Sequence, residues 1–202
     1  MNPRDVSRRA LGGLLGTALL GGWFAFAHRD ASRAPDLVGP EWRRRGLLRP
    51  PGSVDEEEFL ARCIRCQRCA QVCSKKAIRL LGPGYGRLEG TPVIVPETSA
   101  CDLCLACGDA CPAGAIRPLE RMDQARMGTA GVDPRLCVSH AGTGICGACF
   151  TVCPLRGKAI RQGLYNRPTV FPDACAGCGL CEEACIVEAN KAIRVTSPRS
   201  WS

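Results

Sequence analysis

Aromatic residues are scarce in this sequence, and their scarcity limits how the chain can build a core. Its 202 residues include five Phe, three Trp and two Tyr. A chain of this length forms one domain or two small ones and is too short for a large catalytic assembly. Because burial of large side chains is limited, the sixteen cysteines are the obvious candidates to organise the interior.

Sequence motifs of substrate chemistry are also missing. The chain has no flavin or nicotinamide fingerprint and no serine, histidine and acid constellation. The Gly-rich stretch 140–145 lacks the strand-to-helix setting of a phosphate loop. His140 is interpreted as a loop histidine, since four cysteines already complete the neighbouring ligand set. We therefore predict that the protein is not an enzyme and has no small-molecule substrate.

An internal repeat occupies most of the chain. Clusters of four cysteines recur at spacings of 38, 36 and 38 residues, and the same tripeptide, Ala-Ile-Arg, follows each cluster. The clusters begin at residues 63, 101, 137 and 175. The tripeptides lie at 77–79, 115–117, 159–161 and 192–194. One structural unit has therefore been used four times.

The cysteine spacing indicates the ligand. Three clusters read C-x2-C-x2-C-x3-C, the run of bacterial ferredoxins, in which three thiolates bind one 4Fe-4S cube and the fourth joins another. The third cluster has eight residues between its first two cysteines, which we interpret as a looped insertion that keeps the site. The predicted iron ligands are Cys63, Cys66, Cys69, Cys73, Cys101, Cys104, Cys107, Cys111, Cys137, Cys146, Cys149, Cys153, Cys175, Cys178, Cys181 and Cys185.

Disulfides and zinc are the alternative uses of these cysteines. An exported chain with an even number of cysteines can form disulfides, but runs this dense would crowd the candidate partners within one or two turns of chain. Zinc sites usually take C-x2-C pairs from separated segments. The recurrence in register favours four 4Fe-4S clusters over both alternatives.

The N-terminal segment resembles a targeting signal. Residues 1–9 are basic, residues 10–27 are uncharged, and Arg8 with Arg9 lies in a stretch similar to the twin-arginine signal. An ordinary secretion signal or a membrane anchor is the alternative. Free thiols would pair in an oxidising compartment, so a route that moves folded, cluster-loaded protein suits this chain. We predict a periplasmic protein, exported folded, that stays membrane-associated if this segment is not cleaved.

The charge balance indicates no nucleic-acid partner. The formal net charge of +8 counts the cysteines as neutral. Four oxidised cubes with their thiolates contribute about −8, so the loaded mature chain lies near neutrality. The sequence has no basic stripe with interleaved aromatic residues, and nucleic-acid binding is therefore not expected.

The pattern predicts an α+β fold of tandem bacterial-ferredoxin-like modules, with four half-modules in two pseudo-two-fold pairs. A capping box at 53–56 predicts a helix from about residue 54 to residue 63. Short strands are expected at 93–95, at 169–171 and through each Ala-Ile-Arg, whose isoleucine covers a cube while its arginine faces water. The expected segments are a signal or anchor at 1–27, a Pro/Arg-rich linker at 28–52, units 1 and 2 at 53–121, units 3 and 4 at 122–196, and a tail at 197–202.

Two ways of pairing the units stay open. If neighbouring units pair, Cys73 joins the cube held by Cys101, Cys104 and Cys107. If the first unit meets the last, Cys73 joins the cube of the fourth unit instead. The spacing of the cysteines is the same in both cases.

Several stretches outside the ligand spacing carry a family resemblance. They are 49–52 with Phe59, 125–128, 168–170, 173–175, 177–179, and Glu188 before 192–193. In these residues the chain resembles the ferredoxin-type NapG/MauM family, over about residues 49 to 195. The resemblance implies four 4Fe-4S clusters, twin-arginine export, and electron transfer from a membrane-bound ferredoxin-type quinol-oxidising protein toward a periplasmic cytochrome or oxidoreductase.

The sequence therefore predicts an electron carrier that can act as a subunit of an oxidoreductase pathway, in nitrate reduction or in methylamine oxidation. A cluster-bearing maturation or assembly factor for a periplasmic oxidoreductase is the alternative. A subunit of a molybdoenzyme complex is a third hypothesis.

Overall fold

The computed structural model of the protein describes residues 43–188 and 190–201. The predicted signal or anchor at 1–27 and most of the predicted linker lie outside the described residues. In the described ranges, no helix combines the length and the apolar character that a membrane crossing requires.

The helices are short, and most of them lie inside the cysteine clusters. Helices of four to seven residues are unstable on their own in water, so these depend on tertiary contacts. From residue 56 onward they are α1 Glu56–Arg62, α2 Arg68–Val72, α3 Ala106–Asp109, α4 Val138–Ala141, α5 Ala148–Thr151 and α6 Leu180–Glu183. Single 3-10 turns lie at Gly86–Leu88, Met122–Gln124, Leu164–Asn166 and Pro172–Ala174.

The strands form antiparallel two-stranded ribbons. They are β1 Ile78–Leu80, β2 Pro92–Ile94, β3 Thr129–Val132, β4 Ile160–Gln162, β5 Pro168–Val170 and β6 Ile193–Thr196. β1 pairs with β2, β4 pairs with β5, and β3 pairs with β6. In each ribbon an isoleucine of the Ala-Ile-Arg repeat lies opposite a β-branched residue, a pair that stabilises a sheet. The opposed residues are Ile78 and Ile94, Ile160 and Val170, and Ile193 and Val132.

The prediction of a strand at each Ala-Ile-Arg is confirmed at three repeats and wrong at one. Ile116 forms only an isolated bridge with Ser53. The Val54 N–H donates to the Ala115 carbonyl, and the Arg117 N–H donates to the Gly52 carbonyl. The partner segment around Ser53 is too short to form a strand, because α1 begins at Glu56 directly after it.

The other two predicted strands are present with shifted bounds. The strand expected at 93–95 spans Pro92–Ile94, and the strand expected at 169–171 spans Pro168–Val170. Each begins at a proline, which is compatible with the first residue of a strand because it has no N–H to donate.

The predicted capping box at the start of α1 is wrong. The helix begins at Glu56 after Asp55, and no side chain caps it. The Ser53 hydroxyl instead donates to the Pro50 carbonyl at 2.7 Å, so Ser53 stabilises the preceding turn. The glutamates of the first turn, at 56–58, interact favourably with the positive end of the helix dipole.

The alanine and isoleucine of every repeat are buried in the core. They are Ala77, Ile78, Ala115, Ile116, Ala159, Ile160, Ala192 and Ile193. The arginine that follows is exposed in the first three repeats and half-buried at Arg194. Cysteines belong to the same core cluster, so the repeats pack their apolar residues directly against the candidate ligands.

The end of the predicted linker is packed into the core. Leu47 is 0% exposed, and Leu48 and Arg49 are each 1% exposed. The Leu47 N–H donates to the Arg199 carbonyl at 2.8 Å, and the Ser197 N–H donates to the Arg45 carbonyl at 2.8 Å. The predicted tail therefore runs beside this segment. Composition obscured the packing, because the Pro and Arg content of the stretch masks its two leucines.

Candidate metal centres

The sixteen cysteines lie in four groups of four, and each group lines its own cavity. None of the thiols is in a disulfide. Site I contains Cys63, Cys66, Cys69 and Cys111. Site II contains Cys73, Cys101, Cys104 and Cys107. Site III contains Cys137, Cys146, Cys149 and Cys185. Site IV contains Cys153, Cys175, Cys178 and Cys181.

The fourth cysteine of each unit lies in the site of the neighbouring unit. Cys111 of unit 2 joins site I, and Cys73 of unit 1 joins site II. Units 3 and 4 exchange Cys153 and Cys185 in the same way. Helix α2 contacts α3, and α5 contacts α6, which places each fourth cysteine beside its neighbour's loop. Of the two pairings that the sequence left open, the structure has the pairing of neighbours.

Three of the ligand loops share one unusual backbone conformation. The third and fifth residues of each C-x2-C-x2-C run have positive φ angles of 55° to 86°. These residues are Arg65, Gln67, Leu103, Leu105, Gly177 and Gly179. When a residue in right-handed backbone conformation is next to one in left-handed conformation, their N–H groups point to the same side. This arrangement favours the binding of an anion. In site II the Leu103 N–H donates to the Cys101 sulfur at 3.4 Å. The loops are therefore shaped to hold thiolates.

The insertion of unit 3 is held by Ser139, which sequence reasoning missed. Ser139 lies on α4 and is 1% exposed. Its hydroxyl accepts the Cys146 N–H at 2.9 Å and donates to the Cys146 carbonyl at 3.2 Å. These two bonds bring Cys146 back to Cys137 across the insertion. The Nε2 of His140 lies 3.0 Å from the Pro168 carbonyl oxygen.

Burial raises the pKa of several thiols that line the cavities. The pKa of Cys101 and that of Cys107 rise to about 12, and those of Cys69 and Cys178 rise to about 11. Loss of hydration is the main cause, and the charges of neighbouring thiols add to it. Thiols with these pKa values are neutral at pH 7 in the absence of metal. The positive charge of bound metal therefore favours ionisation of these buried thiols.

The donor set of each site fits a 4Fe-4S cluster. The empty space inside the sites, including the part open to solvent, is about 380 Å³ in site I, 270 Å³ in site II, 380 Å³ in site III and 410 Å³ in site IV. In residues 43–188 and 190–201, no three His, Cys, Asp or Glu side chains converge as the ligands of a single metal ion do. Four thiols around one apolar space are the ligands that a four-iron cluster takes, one at each iron.

Contacts between the sites connect them in the order I, II, IV, III. Sites I and II meet where α2, which contains Cys69, contacts α3, which contains Cys107. Between sites II and IV, the Cys101 N–H donates to the Cys178 carbonyl at 3.0 Å. Sites IV and III meet where α6 contacts α5. The spatial order therefore differs from the order of the units along the chain.

Comparison with known proteins places these sites among ferredoxin-type proteins. A 4Fe-4S dicluster domain matches residues 100–157, and a 4Fe-4S binding domain matches residues 63–77. The ferredoxin-type protein NapG of Escherichia coli (strain K12) is 39% identical over 162 residues, which cover 73% of this chain and 69% of the relative. The methylamine utilization ferredoxin-type protein MauM of Methylorubrum extorquens is 39% identical over 159 residues, which cover 73% of this chain and 71% of the relative. The ferredoxin-type protein NapF of Escherichia coli (strain K12) is 30% identical over 164 residues, which cover 79% of this chain and 93% of the relative.

Proposed function

This chain belongs to the family of ferredoxin-type NapG and MauM proteins, and from that premise we propose that it relays single electrons through four 4Fe-4S clusters. The clusters occupy sites I to IV, with the sixteen cysteines as iron ligands. Units 1 and 2, at 53–121, form one module and units 3 and 4, at 122–196, form the other. The grouping of the cysteines into four sets of four is the observation that supports this proposal.

When bound, each cluster accepts or releases one electron. The chain's own residues supply three conditions for this electron transfer. Backbone N–H groups, such as that of Leu103, donate to ligand sulfur and stabilise its negative charge. The buried isoleucines at 78, 116, 160 and 193 reduce the access of water to the sites. The Cys101–Cys178 backbone bond links the two modules at the point where their sites are connected.

The proposal extends to the setting of the protein. We place it in the periplasm after export in the folded state, and at the membrane if residues 1–27 are not cleaved. Its donor is a membrane-bound ferredoxin-type quinol-oxidising protein, and its acceptor is a periplasmic cytochrome or oxidoreductase. Similarity to MauM, a methylamine utilization protein, supports the methylamine pathway, and similarity to NapG supports the nitrate pathway.

Anaerobic reconstitution tests the cofactor content. The loaded protein is expected to bind about sixteen iron atoms and to show four one-electron reductions by electron paramagnetic resonance during redox titration. Stoichiometric zinc, or no metal, would contradict the proposal.

A gene deletion separates the electron carrier from the assembly factor. If the protein carries electrons, the pathway of the deletion strain recovers when an artificial electron donor feeds the terminal enzyme. If the protein matures that enzyme, the artificial donor restores nothing, and the carrier proposal is wrong.

A further inference from the structure

We infer that the ligand loop of site I, residues 63–69, is the docking face for an acidic one-electron redox protein. The inference rests on the proposed electron-transfer function and deepens it by naming the partner's chemistry. In the docked complex, one electron passes between the partner and the cluster at site I. No bond forms or breaks in this step, and the partner supplies or takes up the electron.

Site I lies at one end of the connected sites. The contact between α2 and α3 joins it to site II, and the order then continues through site IV to site III. Electrons that travel the whole series must enter or leave at site I or at site III. A protein partner therefore gains most by docking at one of these two ends.

The ligand run of site I differs in charge from the other three. Between its first and last cysteine, unit 1 has two arginines, Arg65 and Arg68, and no acid. Units 2 and 4 each have two acids and no cation over the same run, and unit 3 has no Asp, Glu, Lys or Arg. An acidic partner is attracted to the first run and repelled by the second. In the fourth run Glu182 is buried in an ion pair and Glu183 is paired with Lys75, so this run does not attract an acidic partner.

The basic loop is accessible at the ligand itself. Cys66, Arg65 and Arg68 are exposed, and Ile64 is 65% exposed. The Arg65 guanidinium donates to the carbonyls of Glu89, at 2.8 Å, and Arg87, at 3.1 Å, which orients it without neutralising its charge. An apolar centre within a charged rim is the usual composition of a protein–protein interface.

The other exposed ligand does not suit the same partner. Cys104 of site II is exposed, but Asp102 lies beside it and accepts the Cys104 N–H at 3.2 Å. At the opposite end, the residues beside the site III ligands are apolar: Ile145 is 72% exposed and Ile186 is 60% exposed. Charge therefore distinguishes site I from site II and from the far end of the series.

A matched pair of charge reversals tests the inference. Arg68→Glu reverses a charge in the loop, whereas Arg126→Glu makes the same change at an exposed arginine that lies outside all four cysteine runs. The probe is an acidic flavodoxin. Titration of the loaded protein with oxidised flavodoxin gives the dissociation constant of the complex. Mixing the loaded protein with flavodoxin hydroquinone gives the rate constant for its one-electron reduction.

At an ionic strength of about 20 mM, Arg68→Glu is expected to weaken flavodoxin binding about tenfold and to slow reduction by a similar factor. Arg126→Glu is expected to change either value less than about twofold. The difference should vanish at about 0.5 M salt, where charges are screened within a few ångströms. Equal effects of the two variants, or no effect of either, would overturn the inference.

Iron content and redox titration of the same proteins separate the two proposals. If the unaltered protein takes up no electrons, the proposed function fails. If it is reducible in four steps but both variants bind flavodoxin alike, the docking face alone is wrong. Arg68→Gln provides a milder variant, expected to lie between the unaltered protein and Arg68→Glu.

Discussion

The loops of sites I and II hold non-glycine residues in left-handed backbone. Arg65, Gln67, Leu103 and Leu105 have φ angles of 55° to 65°. Such a conformation costs about 1 to 2 kcal/mol for a residue with a Cβ atom. In site IV the same two positions are glycines, which adopt it freely. Sites I and II therefore store strain in order to orient their thiols.

Replacing Gln67 by glycine should relieve part of this strain. Gln67 is exposed, so Gln67→Gly removes little packing and is expected to stabilise the protein by about 1 kcal/mol. Gln71→Gly is the matched control, because Gln71 is exposed on α2 and glycine in a helix costs about 1 kcal/mol. The thermal midpoints of the cluster-loaded variants should shift in opposite directions. Shifts of the same sign would contradict this account.

Iron stoichiometry in double variants tests the exchange of fourth cysteines. Cys111→Ala alone is expected to remove one cluster, or about four iron atoms. Adding Cys66→Ala should remove no further iron, because both residues lie in site I. Adding Cys104→Ala instead should remove about four more, because Cys104 lies in site II. The reverse result would show that Cys111 binds with its own unit.

At the scale of elements, the loop of site IV fits against earlier parts of the chain only because it contains glycine. A Cβ atom on Gly179 would lie 2.4 Å from the Pro96 Cβ, and one on Gly177 would lie 2.4 Å from the Gly128 nitrogen. These approaches bring the loop beside Cys101 and complete the connection between sites II and IV.

Gly179→Ala should therefore be much more harmful than alanine at an open glycine. Both Gly179, with φ +86°, and Gly157, with φ +82°, are left-handed, but nothing lies within 4 Å of a Cβ on Gly157. We expect Gly157→Ala to cost about 1 kcal/mol and Gly179→Ala about 3 kcal/mol, since only the second adds a steric clash. Thermal unfolding of the loaded proteins measures both. Equal losses would show that the contact with Pro96 relaxes without cost.

At the scale of the whole molecule, a buried ion pair joins the start of the described chain to unit 4. Arg45 Nη1 lies 2.6 Å from Glu182 Oε1, and Glu182 is 0% exposed. The second carboxylate oxygen accepts the Val195 N–H at 2.7 Å. Burial raises the pKa of Glu182, and the hydrogen bond from the Val195 N–H and the attraction of Arg45 only partly oppose this shift. Each of the two buried charges is therefore stabilised by its partner.

Loss of this carboxylate should destabilise the molecule strongly. Glu182→Ala leaves a buried arginine short of one partner and a buried N–H unpaired, at an expected cost of about 3 kcal/mol. Glu183→Ala, at the next position of α6, removes only a partly exposed ion pair with Lys75 at 3.6 Å and should cost less than about 1 kcal/mol. Thermal midpoints of the loaded variants compare the two. A small loss for Glu182→Ala would mean that Glu97 compensates for Arg45.

The sequence by itself determined the candidate ligands, the repeat and most of the strands. Two residues between cysteines limit the reach of a loop so tightly that consecutive sulfurs must face one space, and the isoleucine of each repeat is apolar wherever the chain folds. These properties are set by short stretches of the chain, so the local spacing of residues is enough to predict them. The predicted capping box was wrong because the Ser53 hydroxyl donates to the Pro50 carbonyl instead of capping the helix.

Only the tertiary structure decided which fourth cysteine completes which site, and that the sites are connected in the order I, II, IV, III. It also decided that Leu47 and the tail pack together and that Ser139 closes the insertion of unit 3. Each of these features depends on contacts between residues far apart in the chain. Cysteine spacing is identical for either pairing of units, so only the packing of one unit against another distinguishes them.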